Sequence, residues 1–191
     1  TGIRSPAPVR TAAAPGLAVG VWQGLADLDP DVDAIWRLVA GSEDRPRVRF
    51  GEAPPAALPS GVWCPFNSQA TCWPRATLDL AYLPTTVGMR FTDILRGYVA
   101  QRLLWERGLA VGFFGPGVRQ VRNAHDLIKD LAGEQEMYAA VPETVRTLAA
   151  LDLTLTPEEG HLALAYDALA AAGIVEAEEA GTLELWTAAV S

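Results

Sequence analysis

Two polar clusters carry the residue types from which chemistry could be built: the aspartates of LADLDPDVDAIWRL, and WCPFNSQATCW between Trp63 and Trp73. The first places carboxylates at Asp27, Asp29, Asp31 and Asp33. Alternate residues of an extended segment share one side, so Asp27 and Asp29 could grip a divalent ion that in turn holds a diphosphate. The same carboxylates also suit the positive end of a helix running through Ile35, Trp36 and Leu38, and both readings stand. The second cluster holds both cysteines of the chain, Cys64 and Cys72. As zinc ligands they lack two further partners at the usual spacing. As a disulfide they would close only a short loop, with modest stabilisation. As a nucleophile, Cys64 has no base nearby in sequence. A sugar pocket suits these residue types better: Trp63, Phe66 and Trp73 offer flat apolar faces, and Asn67, Ser68 and Gln69 offer donors and acceptors. An aromatic core strand with incidental polar residues accounts for the same pattern.

Asp93 opens the strongest amphipathic stretch, TDILRGYVAQRLLWERG. Its carboxylate either accepts bonds from the free N–H groups of a first helical turn or orients a substrate hydroxyl and takes its proton. Arg90 and Arg96 nearby either serve phosphate groups or face water. His125 lies in VRNAHD, a polar loop after a glycine-rich strand, which is where α/β sheets bind ligands. The other histidine, His161, reads as structural.

The elements that must position these residues alternate in α/β fashion. Residues 1–16, rich in Pro, Ala and Gly, read as an extended arm. LAVGVWQGL predicts a short strand, and the helix after Pro30 ends by Gly41. RPRVRF reads as an exposed strand and GEAPPAALPSG as irregular chain. RATLDLAYLP predicts a short helix. Thr92 caps the long helix and Gly108 ends it. LAVGFFG then forms a buried strand and PGVRQVRNAHD the loop leaving it. Helices follow at Leu127 to Ala140, at PETVRTLAAL, at TPEEGHLALAYDALAAAG behind a capping box of Thr156 and Glu159, and at EAEEAGTLELWTAAV. The expected organisation is an arm at 1–16, an α/β domain at 17–140 and a helical region at 141–191 packed on it.

The 191 residues are 50% hydrophobic and carry a formal net charge of -8. That charge argues against nucleic acid as a main partner. No run of 18 uncharged apolar residues occurs, so no membrane association and a cytoplasmic location are expected.

DPDVDAIWRL, PFNSQATCW, LAYLPTTVGMRFTDILRGYVAQRLLW and VRNAHDLIKDLAGEQEMY occur in an order that resembles the STELLO glycosyltransferase-like family, from about Gly16 to the C-terminal helices. The family is similar to GT-A glycosyltransferases. The resemblance implies a partial GT-A-like mixed sheet with flanking helices, and transfer of a sugar from a nucleotide-sugar donor, held through Mn²⁺ or Mg²⁺, to a small-molecule or glycan acceptor. It implies that Asp93 is the acceptor-side or sugar-binding carboxylate and His125 a metal or diphosphate contact. It also implies that Asn67, Gln69 and Thr71 line the sugar pocket beside Trp63, with Arg90 and Arg96 around it. Asp31, Asp33 and Arg37 match its aspartate-rich segment. The βαβ unit that should end on the metal-binding D-x-D does not precede Asp27. The expectation is therefore the acceptor-side half of a larger protein, or a chain whose donor half comes from a partner. The alternative is a non-catalytic carbohydrate- or protein-binding domain on the same fold.

Overall fold

The computed structural model describes residues 17–39, 48–51, 54–123 and 126–190. The pattern at Ala18 becomes strand β1 (Ala18–Leu28), and LAVGFFGPGVRQ becomes β4 (Leu109–Gln120). These two run parallel and form the centre of a four-stranded sheet of order β2-β4-β1-β3. Its other members are two-residue antiparallel edges, β2 (Ala56–Ala57) and β3 (Thr71–Cys72). A parallel pair needs a crossover, and the chain between β1 and β4 supplies it through α2 (Thr92–Glu106). The mixed sheet with its flanking helices is an α/β fold.

β4 is longer than the seven residues LAVGFFG predict. Gly24 pairs with Phe114 but Ala26 pairs with Val118, so Gly115, Pro116 and Gly117 form a bulge after which pairing resumes to Gln120. Proline is tolerated there because a bulge residue gives no ladder hydrogen bond. The RPRVRF strand is represented among the described residues by a single bridge from Val48 to Leu28. Residues 75–81 form a 3₁₀ helix rather than an α-helix.

α2 is the pivot of the core. Leu95, Val99, Leu103 and Leu104 are buried against Val21 and Val111 of the central strands and against Leu148, Leu162, Leu169 and Leu183 of the C-terminal helices. Its end follows the predicted grammar, with Gly108 at a φ of +66°. One hydrophobic cluster therefore joins the sheet to α3 (Leu127–Ala149), α4 (His161–Ala171) and α5 (Glu179–Val190).

α3 is one helix where the sequence predicts two, because it continues through Pro142. An interior proline removes one helical bond; packing on α2, on α4 and on α1 (Ala34–Val39) supports the helix. The capping box at Thr156 does not form: α4 is entered through a 3₁₀ turn at Glu158–Gly160 with no side-chain cap. Instead the Thr156 carbonyl accepts from His161 Nε2 at 2.8 Å. His161 is buried and structural, as its sequence context suggests.

Gly97 marks the closest approach in the fold. A Cβ there would lie 2.8 Å from the Phe66 nitrogen and 2.9 Å from its carbonyl oxygen, both backbone atoms. Gly97→Ala must push the Pro65–Phe66 backbone away and should cost about 1–3 kcal/mol, read as a lower denaturant midpoint with an unchanged m-value. No helix among the described residues is long and apolar enough to cross a membrane.

Candidate functional site

One face of α2 carries polar side chains that run from half-buried at Asp93 to fully buried at Gln101. Asp93, Gly97 and Gln101 follow at intervals of four, with Arg96 beside them, so they line one side of the helix. The chain from Val62 to Ser68 lies along that side. Gln101, fully buried, accepts from the Cys64 amide at 2.9 Å. Gly97 lets the backbone of residues 65 and 66 pass. Arg96 donates to Ser68 Oγ at 3.0 Å and to the Asn67 carbonyl at 3.1 Å, with a longer bond to the Phe66 carbonyl at 3.4 Å. Asp93 Oδ2 accepts from the Ser68 amide at 3.0 Å. The two stretches thus meet because α2 carries backbone-satisfying side chains at helical spacing.

Arg96 is 4% exposed, and its guanidinium stacks over both Phe66 and Trp73 at 5.4 Å to each ring centroid. Burial holds it below the usual arginine value, with the Asp93 carboxylate and then Tyr166 opposing that shift. It is therefore a strut beneath the 66–68 loop and lines neither cavity described below. That corrects its reading as a substrate contact: a planar fork with stacked faces satisfies three acceptors of the loop at once. Arg96→Lys keeps the charge but not the fork, and should cost about 1–3 kcal/mol of stability, seen as a lower thermal midpoint.

Beyond the strut, Asn67 joins the loop to the aspartate-rich segment. Its Nδ2 donates to the Asp31 carbonyl, and the Asp31 amide donates to Gln69 Oε1, each at 3.3 Å. Asn67 Oδ1 accepts from the Gln69 amide at 3.0 Å and from Gln23 Nε2 at 3.3 Å. Thr71 Oγ1 lies 2.8 Å from Gln23 Oε1 and 2.6 Å from the Asn67 carbonyl. Gln23, buried in β1 and bonded to both Asn67 and Thr71, is missed by sequence reasoning; its one local signal is a polar side chain within the apolar run from Val19 to Ala26.

A cavity of about 230 Å³ opens where these segments converge, and Asp31, Asp33, Asn67, Ser68, Arg90 and Asp93 are among its walls. Asn67 and Asp93 thus share one cavity, whereas Gln69 lines an adjoining one of about 220 Å³ together with Asn67. Asp93 is half-buried, and among the described residues nothing donates to its Oδ1. Arg90 reaches the cavity with its guanidinium held by Asp130 and 4.0 Å from Glu134 of α3. Glu134 in turn accepts from the Ala34 amide at 2.8 Å and from the Tyr138 hydroxyl at 2.6 Å.

The remaining candidates lie elsewhere or serve other partners. Trp63 lines neither cavity: it packs on Tyr98 and Trp105 at ring centroids 5.8 and 4.5 Å away. Asp33 Oδ1 accepts from the Trp36 amide at 2.8 Å and so caps α1 (Ala34–Val39), the helix-end role its position allowed. Asp27 Oδ1 accepts from the Phe50 amide at 2.9 Å, and Asp29 Oδ2 from the Arg122 amide at 3.4 Å. Arg122 also pairs with Asp31 at 3.2 Å. Among the described residues no group of three or more His, Cys, Asp or Glu is arranged to hold a metal ion. His125 falls outside the described residues. Cys64 and Cys72 are both free thiols. Burial pushes the Cys64 thiol up, the opposite of what a nucleophile requires.

Fold and site together define an α/β protein with a carboxylate-lined cavity set between α2 and the loop that leaves β1. A sequence model of the family described as STELLO glycosyltransferases matches residues 90–185, the span that carries Asp93, Arg96 and all of α3 and α4. The chain belongs to this family. It is 31% identical over 134 residues to "Probable glycosyltransferase STELLO2" of Arabidopsis thaliana, a match covering 68% of this chain and 17% of the relative. It is 37% identical over 98 residues to "Probable glycosyltransferase STELLO1" of the same plant, covering 50% and 13%. The chain therefore spans less than a fifth of the length of these relatives.

Proposed function

We propose that this chain provides the acceptor-binding part of a glycosyltransferase that moves a sugar from a nucleotide-sugar donor to a hydroxyl of a small molecule or glycan. The observation that carries the reading is the Asp93 carboxylate. One of its oxygens is anchored by the Ser68 amide, and the other is left toward a cavity that Asn67 and Ser68 also line. A carboxylate so placed orients an incoming hydroxyl and takes its proton as the oxygen attacks the anomeric carbon. The bond from that carbon to the diphosphate breaks, and the nucleoside diphosphate leaves with the electron pair.

A bound divalent ion, Mn²⁺ or Mg²⁺, would stabilise the leaving diphosphate. Asp27 and Asp29 do not fit that task, because each binds a backbone amide of a different segment and no third ligand joins them among the described residues. Donor binding is assigned to sequence beyond these 191 residues or to a partner chain, in keeping with the small share of its relatives that the chain spans.

The test is acceptor-dependent release of nucleoside diphosphate from a panel of UDP- and GDP-sugars with Mn²⁺ or Mg²⁺. The wild-type chain is assayed alone and then joined to the upstream sequence of a full-length family member. Turnover that needs an acceptor and falls in Asp93→Asn supports the reading. Turnover in neither form would refute it and leave a non-catalytic carbohydrate- or protein-binding domain on the same fold.

A further inference from the structure

The cavity at Asp93 and the cavity at Gln69 share a wall of Asp31, Val32, Asn67 and Ile94. At about 230 and 220 Å³, each falls below the roughly 300–1,000 Å³ usual for a small-molecule site, whereas the two combined fall within it. Their chemistries differ. The first presents carboxylates from Asp31, Asp33, Asp93 and Glu134, and the one cation among its described walls, Arg90, is already paired with Asp130. Walls so rich in carboxylate acceptors match the O–H donors of a polyol, while an anionic phosphate there would meet like charge. The second cavity is walled by Phe50, Pro65, Phe66, Phe113 and Leu25, with the amide of Gln69 at its edge. Those flat apolar faces match an apolar group.

The second wall is built rather than incidental. Asp27 holds the Phe50 amide at 2.9 Å, which fixes the Phe50 backbone beside β1. Leu25 lies at the register shift between Gly24 and Ala26, where β1 departs from regular pairing with β4. Bulges of this kind recur next to ligand sites because they re-aim a strand locally. Asn67 stands on the shared wall with both ends of its amide tied, to Asp31 and to Gln23, so the junction between the compartments is rigid.

We infer that the two cavities form one bipartite cleft for an uncharged glycoside, with its hydroxylated ring beside Asp93 and an apolar aglycone between Phe50 and Phe113. The inference rests on the acceptor reading of Asp93 and adds to it the class of acceptor. It also gives Asp27 a task, positioning Phe50, in place of metal binding. Asp27 and Phe50 are positioning and binding residues, and neither touches the reacting atoms.

Amide NMR titration of the ¹⁵N-labelled 191-residue chain tests this with paired methyl and phenyl glycosides of common hexoses and pentoses, and with the matching sugar 1-phosphates. Burying roughly 60 Å² of phenyl surface at about 25 cal/mol per Å² predicts that the phenyl member binds about tenfold tighter than its methyl partner. Both members should shift the Ser68 and Asp93 amides, and only the phenyl member those of Leu25, Phe50 and Phe113. Phe50→Ala, checked for an unchanged thermal midpoint, and Asp27→Ala, which removes the acceptor that holds the Phe50 amide, should each bring the phenyl-to-methyl ratio toward one. Equal affinity of the two members, or tighter binding by the sugar phosphate, overturns the bipartite cleft. If methyl glycosides still shift Ser68 and Asp93 in that case, the acceptor reading stands. Silence from every glycoside overturns both. The expected phenyl gain without transfer from any donor would uphold the cleft and remove only the transferase reading.

Discussion

Asp93→Asn is expected to lower acceptor-dependent turnover by about 10²–10⁴-fold, the range in which positioned general acid–base groups contribute. The substitution is nearly isosteric, and its amide oxygen can still accept from the Ser68 amide, so the loop stays in place. What changes is the second position, where an NH₂ donor replaces an acceptor that could receive a proton. The loss should therefore fall on kcat and kcat/KM together rather than on acceptor KM alone. Asp93 also opposes the burial penalty on Arg96, so a stability cost of about 1 kcal/mol should accompany it. Measuring activity well below the thermal midpoint separates the two effects. Turnover within about threefold of wild type would remove Asp93 from the reaction.

Glu179→Ala should be the most destabilising single change, lowering stability by about 3–5 kcal/mol, because it strips a buried acceptor from several donors at once. Glu179 opens α5 and is 1% exposed. It accepts from the Thr85 and Thr86 amides at 2.9 and 2.8 Å, from Thr86 Oγ1 at 2.5 Å and from the Tyr82 hydroxyl. The carboxylate thus ties the C-terminal helix to the loop that runs into Met89 and Arg90 at the cavity. In a chain of this size such a loss lowers the melting temperature by roughly 6–20 °C. Glu179→Gln, which puts donors against donors, should recover little of it.

The same group predicts acid sensitivity. Burial pushes the Glu179 carboxyl up, but bonds from Thr86 and Tyr82 and from the two threonine amides outweigh it and hold the group below the usual glutamate value. A depressed folded-state value means the stabilisation is complete above the unfolded value of about 4.3 and drains away as pH falls through the lower folded value. Wild type should therefore lose stability over that acid window more steeply than Glu179→Gln. Parallel pH–stability curves for the two proteins would show that the network does not hold the helix.

Much of the fold follows from local pattern. The long helix with its glycine stop, the strand at LAVGFFG and the α/β order are all legible because 3.6-residue and two-residue periodicities are local signals. Where that reading falls short, a partner distant in sequence decides. β4 runs on through Pro116 because β1 resumes pairing beyond the bulge, and α3 runs through Pro142 within a packed set of helices.

The candidate site divides in the same way. From its amino acids alone the chain is an acidic α/β protein with the STELLO motifs, in which Asn67, Gln69 and Asp93 are expected to share one pocket; the structure puts Asn67 beside Asp93 and Gln69 in the adjoining cavity. Only the tertiary structure separates the residues that face a ligand from those that hold the frame. Arg90 and Arg96 look alike in sequence, yet one lines the cavity and the other lies buried under the 66–68 loop, 28 positions from its partner Ser68. Glu179 gives no local signal, because its donors at Thr85 and Thr86 stand 94 and 93 positions away. The physical reason is common to all three. A polar side chain declares its role through the partner that satisfies it, and in a packed core the fold supplies that partner from segments distant in the chain.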